Sequence, residues 1–211
     1  MKENVKSDNT DEKITKKMIN KKKLSVRDYI TMALILVLVY IIYAAVGMPM
    51  GLTVAGIVFM HAACSLLWGT IFLLLYTRVN KKWTVLIFGI ILGLIQVMNF
   101  WPTSVSLALG GVAGEILWQK TDRKKFKTMV ACFTIQIASW YIGIYAPLII
   151  FFDLSKKILA ESYVEMYTEA KTFTSGPMFF IGLGVTIICS VAGAFLGKIL
   201  LKKHFRKAGI V

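Results

Sequence analysis

The chain has 211 residues, of which 57% are hydrophobic, and its mean hydropathy is +0.68. Soluble globular domains are about 45–50% apolar, so the composition excludes an ordinary soluble protein. The formal net charge of +14 would suit nucleic-acid binding, but the placement of the basic residues described below argues against a nucleic-acid partner.

The apolar residues fall in long blocks, each of the roughly 16–27 residues that a helix needs to cross a bilayer. Long helical blocks also exclude a transmembrane barrel, whose strands alternate polar and apolar residues. The sequence therefore predicts an all-α integral membrane protein, a compact bundle of six transmembrane helices in the cell membrane. The predicted spans are Tyr29–Gly47, Gly51–Thr77, Trp83–Phe100, Ser104–Gln119, Lys127–Phe152 and Pro177–Leu201.

The basic residues alternate from one side of the predicted bundle to the other. Of the 25 Lys and Arg residues, all but Lys156, Lys157 and Lys171 lie on the side that holds both termini. An excess of Lys and Arg marks the cytoplasmic side, so both termini are predicted to be cytoplasmic. Residues 1–24 are expected to form a disordered basic tail, and residues 25–211 the membrane domain.

One loop on the predicted outer side is long enough to hold structure of its own. Between spans five and six, Leu159, Tyr163, Met166 and Tyr167 recur with helical spacing. We expect a short extracellular amphipathic helix here. It is either an anchor lying at the membrane surface or a lid over a binding site.

Small residues recur four apart in three spans, and the pair Gly193 and Gly197 lies in the last one. Such pairs let helix backbones approach closely in lipid. They predict either tight packing within the bundle or docking on another membrane protein. The three cysteines show neither metal-ligand spacing nor a disulfide framework, so no metal site is predicted.

The predicted spans hold a single acidic residue, Glu115, and a single histidine, His61. Glu115 would lie about 7–8 Å from the inner end of span four, at 1.5 Å per residue. A charged side chain inside a membrane faces protein or water and takes a partner. Glu115 could pair with His61 or turn toward the basic loop, and we expect a structural and coupling role for both residues.

The sequence holds no motif of a hydrolase, a metalloprotease or an ATPase. We therefore expect no enzymatic activity, no catalytic residue and no cofactor. If the chain moves a solute actively, the energy must come from a partner or from an ion gradient.

The start KLSVRDYI, the run GIILGLIQVMNFWPTSVSLALGGVAGEI and the tail VAGAFLGKILLKKHFRKAGI resemble the Trep_Strep family. Its members look like the substrate-binding S components of energy-coupling factor (ECF) transporters. The resemblance covers nearly everything after residue 23 and implies three partners, a transmembrane T component and two cytoplasmic ATP-binding subunits. The S component would capture a micronutrient outside the cell for import driven by ATP.

The resemblance also implies where the substrate and the partner bind. By analogy with S components, an aromatic-rich pocket near the outer ends of the spans would hold a vitamin-like, base-like or tetrapyrrole-like molecule. The implied pocket residues are Asn99, Trp101, Trp140, Tyr141, Tyr145, Tyr163, Met166 and Tyr167. The S components of several vitamins meet the T component through Ala-x-x-x-Ala in the first span. In this chain the residue four positions after Ala33 is Val37 and not alanine. Gly193 and Gly197 are therefore the alternative partner contact.

Two other functions remain compatible with the sequence. The chain could be a standalone facilitator or an ion-coupled carrier that uses Glu115 and His61. It could also be an accessory membrane protein without a ligand. Co-purification with a pair of ATPases separates the first function from the other two.

Overall fold

A computed structural model describes residues 23–158 and 161–207 of the chain. All regular structure in these residues is helical. The helices are α1 Val26–Ile42, α2 Val54–Arg78, α3 Thr84–Lys120, α4 Phe126–Ile150, α5 Phe152–Ile158, α6 Glu161–Thr174 and α7 Pro177–Lys207. The predicted tail lies almost entirely outside the described residues, because the description begins at Lys23.

Five helical segments of the described chain are long and apolar enough to cross a membrane. They are Val26–Met50, Val54–Arg78, Thr84–Lys120, Phe126–Ile150 and Pro177–Lys203. Many large apolar side chains on their outer faces are exposed, Leu34 and Ile188 for example at 63% and 68%. Large exposed apolar surface is rare in soluble monomers. The predicted fold class, an all-α integral membrane protein, is confirmed.

The helical segment that begins with α1 changes geometry after Ile42. The α-helix gives way to a π-helical turn at Tyr43–Gly47, and Met48–Met50 completes the segment. The extra residue of a π-helical turn shifts the side chains that follow it. At the start of α1, Asp28 accepts a hydrogen bond from the Ser25 backbone N–H at 2.6 Å. The Asp28 carboxylate also forms an ion pair with Lys81 Nζ at 2.6 Å. The ion pair ties the start of α1 to the turn after α2.

Helix α3 is 37 residues long but is not straight. Phe100 has φ −159° and ψ 97°, which is extended backbone, and Pro102 follows two residues later. Because proline lacks an N–H and its ring crowds the preceding turn, the helix breaks here into a first arm, residues 84–99, and a second arm, residues 101–120. These arms correspond to predicted spans three and four.

The two arms of α3 lie side by side. A methyl group placed on Gly89 in the first arm would come within 2.9 Å of the Gly111 Cα in the second. Beyond Phe100 the chain therefore folds back along itself. The second arm also packs on α4, where Thr103 Oγ1 donates to the Gly143 carbonyl at 3.1 Å and Ser106 Oγ to the Ser139 carbonyl at 2.6 Å.

The bundle has two distinct ends. The starts of α1, α3 and α4 and the end of α7 lie at one, termed the basic end, where Asn80 Nδ2 donates to the Arg123 carbonyl at 3.0 Å. The turn before α2, the break in α3, and α5 and α6 lie at the other, termed the opposite end. Helices α5 and α6 confirm the predicted helical structure between spans five and six, although residues 159–160 lie outside the described chain.

Helices α2 and α7 form the closest contact in the bundle. Both Gly193 and Gly197 are buried against α2. A methyl group on Gly193 would overlap the Ser65 carbonyl oxygen, and one on Gly197 would lie 2.7 Å from the Thr70 Cα. The close approach that these glycines allow is therefore made inside the chain. This contact does not support the expectation that their surfaces meet a partner.

We expect Gly193→Ala to destabilise the protein, because its methyl group would overlap backbone atoms that can move only if α2 and α7 separate. Overpacking of this kind costs about 1–3 kcal/mol. The matched control is Gly184→Ala on the same helix, where a methyl group meets nothing within 4 Å. Thermal unfolding of the full chain in detergent measures both, and equal melting temperatures would refute the packing assignment.

Candidate functional site

An aromatic cluster surrounds a buried histidine in the half of the bundle away from the basic end. His61 lies in the second turn of α2 and is 0% exposed. Its ring centroid lies 5.7 Å from that of Trp140, 6.1 Å from Tyr141 and 6.0 Å from Tyr145, and all three contacts are edge-on. We call these four residues the aromatic cage.

Helix α4 places three members of the cage within two turns. Tyr141 and Tyr145 are four residues apart and therefore share one face of the helix, and their ring centroids are 4.5 Å apart. Trp140 precedes them and turns toward α1 and α2. The Trp140 ring stacks on Trp68 at 4.9 Å, with 6° between the ring planes.

The π-helical turn that follows α1 adds an aromatic ring to the wall of the cage. The ring centroid of Tyr43, the first residue of that turn, lies 6.3 Å from that of Trp140, with 23° between the ring planes. Trp68 Nε1 donates to the Val39 carbonyl at 2.9 Å, which fixes the Trp68 ring under Trp140. A π-helical turn beside a polar cluster is a feature often found at functional sites.

The polar atoms of the cage fall into two groups. Tyr141 Oη donates to the Phe179 carbonyl at 3.3 Å, and Tyr145 Oη donates to the Ile57 carbonyl. By contrast, His61 Nδ1, His61 Nε2 and Trp140 Nε1 have no hydrogen-bond partner among the described residues, although all three are buried. An unpaired buried polar group costs about 1–3 kcal/mol. The cage therefore presents a donor and an acceptor on His61 and a donor on Trp140.

Helix α6 lies over this half of the bundle, against α2, α4 and α7. Tyr167 is half-buried and packs on the core. The helix ends at Thr174, and Gly176 takes φ +72°, a left-handed conformation that glycine adopts without strain, before Pro177 starts α7. A turn at 175–177 thus joins α6 to α7, and α6 lies beside the helices that carry the cage.

The structure brings together only part of the predicted pocket. Trp140, Tyr141 and Tyr145 share the cage. Asn99 and Trp101 lie instead at the break in α3, where Asn99 is exposed and donates from Nδ2 to Gln96 Oε1 at 3.0 Å and Trp101 is 47% exposed.

Two predicted pocket residues have side chains that the structure does not describe, and two residues beside the cage were not predicted. The side chains of Tyr163 and Met166 lie outside the described part of the structure. Tyr43 and Trp68 were missed as members of the wall, and the position of Tyr43 near the outer end of the first span was the available signal.

Glu115 lies at the basic end and binds the start of its own helix. Its Oε1 accepts a hydrogen bond from the Trp83 backbone N–H at 2.7 Å, and its Oε2 accepts one from the Val85 N–H at 3.1 Å. Gln119 Nε2 donates to Oε1 at 2.8 Å. The first N–H groups of a helix have no partner within it and carry partial positive charge, so a buried carboxylate is well placed there.

This arrangement corrects one expectation from the sequence. Glu115 does not pair with His61, because its oxygens are occupied at the basic end while His61 is enclosed by aromatic rings. Glu115 instead links the second arm of α3 to the first. Trp118 supports this link by donating from Nε1 to the Lys81 carbonyl at 2.9 Å. Trp83 takes φ 72° at the junction, a left-handed conformation that is strained for a residue with a side chain.

The described residues contain no group of three or more His, Cys, Asp or Glu side chains that could hold a metal ion.

Comparison with known proteins identifies a family. The family model described as "Hypothetical bacterial integral membrane protein (Trep_Strep)" matches residues 26–207. No curated protein and no solved structure matches the chain significantly.

We expect Glu115→Gln to lower the free energy of unfolding by about 1–3 kcal/mol, because a neutral amide loses the charge-assisted bonds to the helix start. The same change at exposed Glu169, on α6, serves as the control and should leave stability unchanged. Thermal unfolding in detergent compares the two. A Glu115→Gln variant as stable as the Glu169→Gln variant would contradict the capping role.

Proposed function

The chain belongs to the Trep_Strep family of bacterial integral membrane proteins, and we propose that it is the substrate-binding S component of an ECF transporter. It would capture a micronutrient outside the cell for import driven by partner subunits. The observation that carries this proposal is the aromatic cage, with buried polar atoms that no described residue satisfies. A small-molecule site typically combines apolar walls with a few such polar groups.

The placement of the cage supports binding from the side of the membrane away from the basic segments. The cage lies in the half of the bundle covered by α6, and the basic end holds the segments rich in Lys and Arg. Basic segments favour the cytoplasm, so the cage would be nearer the outside. An importer that captures a scarce solute needs its binding site on that side.

The proposal includes partners that hydrolyse ATP, because the chain itself holds no ATPase motif. A transmembrane T component and two cytoplasmic ATP-binding subunits would supply the energy. Glu115 would act in coupling rather than in binding, since it joins the two arms of α3 at the end where cytoplasmic subunits dock. The alternative of an ion-coupled carrier that uses Glu115 and His61 has less support, because these residues do not face each other.

We expect a tagged full chain, purified in mild detergent from its bacterial membrane, to retain a second multi-pass membrane protein and two ATP-binding proteins. Mass spectrometry identifies the retained proteins. An unrelated tagged multi-pass protein from the same cells shows which proteins bind non-specifically. Recovery of the chain without any ATP-binding protein, under conditions that keep the control protein's own complex intact, would refute the ECF assignment.

We further propose that each arm of α3 crosses the bilayer, which gives six crossings. At about 1.5 Å per residue, arms of this length span roughly 24–30 Å, close to the thickness of the hydrocarbon core. With both termini inside, α5 and α6 would lie outside and the segment 121–125 inside.

In a background without the three native cysteines, we expect Ser175→Cys to react with a membrane-impermeant maleimide in intact cells. Lys124→Cys should react only after the membrane is permeabilised. Both positions are exposed in the fold, so accessibility reports the side of the membrane. Labelling of both cysteines in intact cells would contradict the proposed topology.

A further inference from the structure

The cage distinguishes polar atoms that serve the fold from polar atoms that face a ligand. The hydroxyls of Tyr141 and Tyr145 bind backbone carbonyls of α7 and α2. The two nitrogens of His61 and the indole nitrogen of Trp140 bind no group of the described residues. We propose that these three atoms recognise the polar edge of an uncharged, planar heterocycle, such as a nucleobase or a ring with amide-like edge groups. This inference rests on the proposed role as a substrate-binding subunit.

The donor and acceptor pattern of the cage requires a ligand with both kinds of group. A neutral histidine carries one N–H donor and one nitrogen acceptor, and tryptophan carries a donor only. The edge-on ring contacts of His61 give neither of its nitrogens a hydrogen-bond partner among the described residues. The His61 donor, the His61 acceptor and the Trp140 donor are therefore all open to a ligand. A purely apolar ring would satisfy none of them.

The surroundings of the cage favour a ligand without charge. The described rings that contact His61, at centroid distances of about 6 Å, belong to uncharged side chains. Two described cations of the opposite end, Lys156 and Lys171, lie over the Phe152 ring at 4.5 Å and 4.0 Å. Burying an ion without an opposite charge is far more costly than burying a neutral polar group. A carboxylate or ammonium ligand would find no described counter-ion in the cage.

The shape of the cage favours a flat ligand. Every ring that lies beside His61 in the cage is aromatic, namely Trp140, Tyr141 and Tyr145. Aromatic side chains interact favourably with another flat ring, either edge-to-face or offset-stacked. The polar edge of His61 then sets the orientation of that ring. Flat faces with a polar edge are the features of a heterocycle rather than of a sugar or an aliphatic acid.

The test measures binding by the full chain in lipid nanodiscs, by equilibrium dialysis with mass-spectrometric detection. The uncharged probes are adenine, nicotinamide and lumichrome. Two of them have a matched competitor: nicotinate adds a charge to nicotinamide, and anthracene has the three fused rings of lumichrome without its polar edge. We expect at least one uncharged heterocycle to bind, and to bind more tightly than the charged and the hydrocarbon probes.

The variants His61→Leu and Trp140→Phe should each weaken that binding by about tenfold or more, the effect of unpairing a buried polar group. Trp140→Phe keeps an aromatic ring and tests the proposal even if His61→Leu does not fold. Phe72→Leu is the control, since Phe72 is a buried aromatic residue of α2 that contacts Phe88 and Phe133 instead of the cage. It should bind as the unmodified chain does.

The proposal is overturned if no uncharged heterocycle binds, if nicotinate or anthracene binds more tightly, or if folded His61→Leu and Trp140→Phe variants bind normally. These outcomes are separate from the fate of the transporter assignment. Dialysis needs no partner, and co-purification needs no added ligand. Retained ATP-binding subunits together with a charged ligand would therefore refute the ligand class alone.

Discussion

The contact between Glu115 and the start of α3 determines how the middle of the bundle is arranged. In hydrocarbon, backbone N–H groups without partners are costly, and the first turn of a helix always has several. The Glu115 carboxylate satisfies those of Trp83 and Val85. Because Glu115 lies 30 positions beyond Val85 in the same helix, this contact is possible only if the second arm folds back beside the first.

The small residues determine the rest of the packing. Without a hydrophobic drive between helices in lipid, close backbone approach supplies the dispersion energy. Gly89 meets Gly111 between the arms of α3, and Gly69 meets Gly193 between α2 and α7. The glycine pairs thus hold the bundle together from inside. The surfaces of Gly193 and Gly197 are thus used inside the chain, while large apolar side chains such as Leu34 on α1 and Ile188 on α7 stay exposed.

The sequence predicted the membrane class and placed the two arms of α3 in separate spans, because length and apolarity are local properties. It also predicted that Glu115 has a structural partner. It did not predict which one, since hydrogen bonds to backbone leave no trace in residue identity. The predicted pocket likewise combined Trp140, Tyr141 and Tyr145, which share the cage, with Asn99 and Trp101, which lie elsewhere. Being aromatic or near an outer end does not reveal which face of a helix turns inward.

The two ends of the bundle therefore satisfy their polar groups differently. At the basic end, Glu115, Asp28 and Trp118 all find partners within the chain. In the half beneath α6, His61 and Trp140 have no such partner among the described residues. A packed apolar side chain at position 61 would cost less than an unsatisfied buried imidazole. A hydrogen bond from a bound molecule would remove that cost, which is why the proposed ligand site is placed in this half of the bundle and not at the basic end.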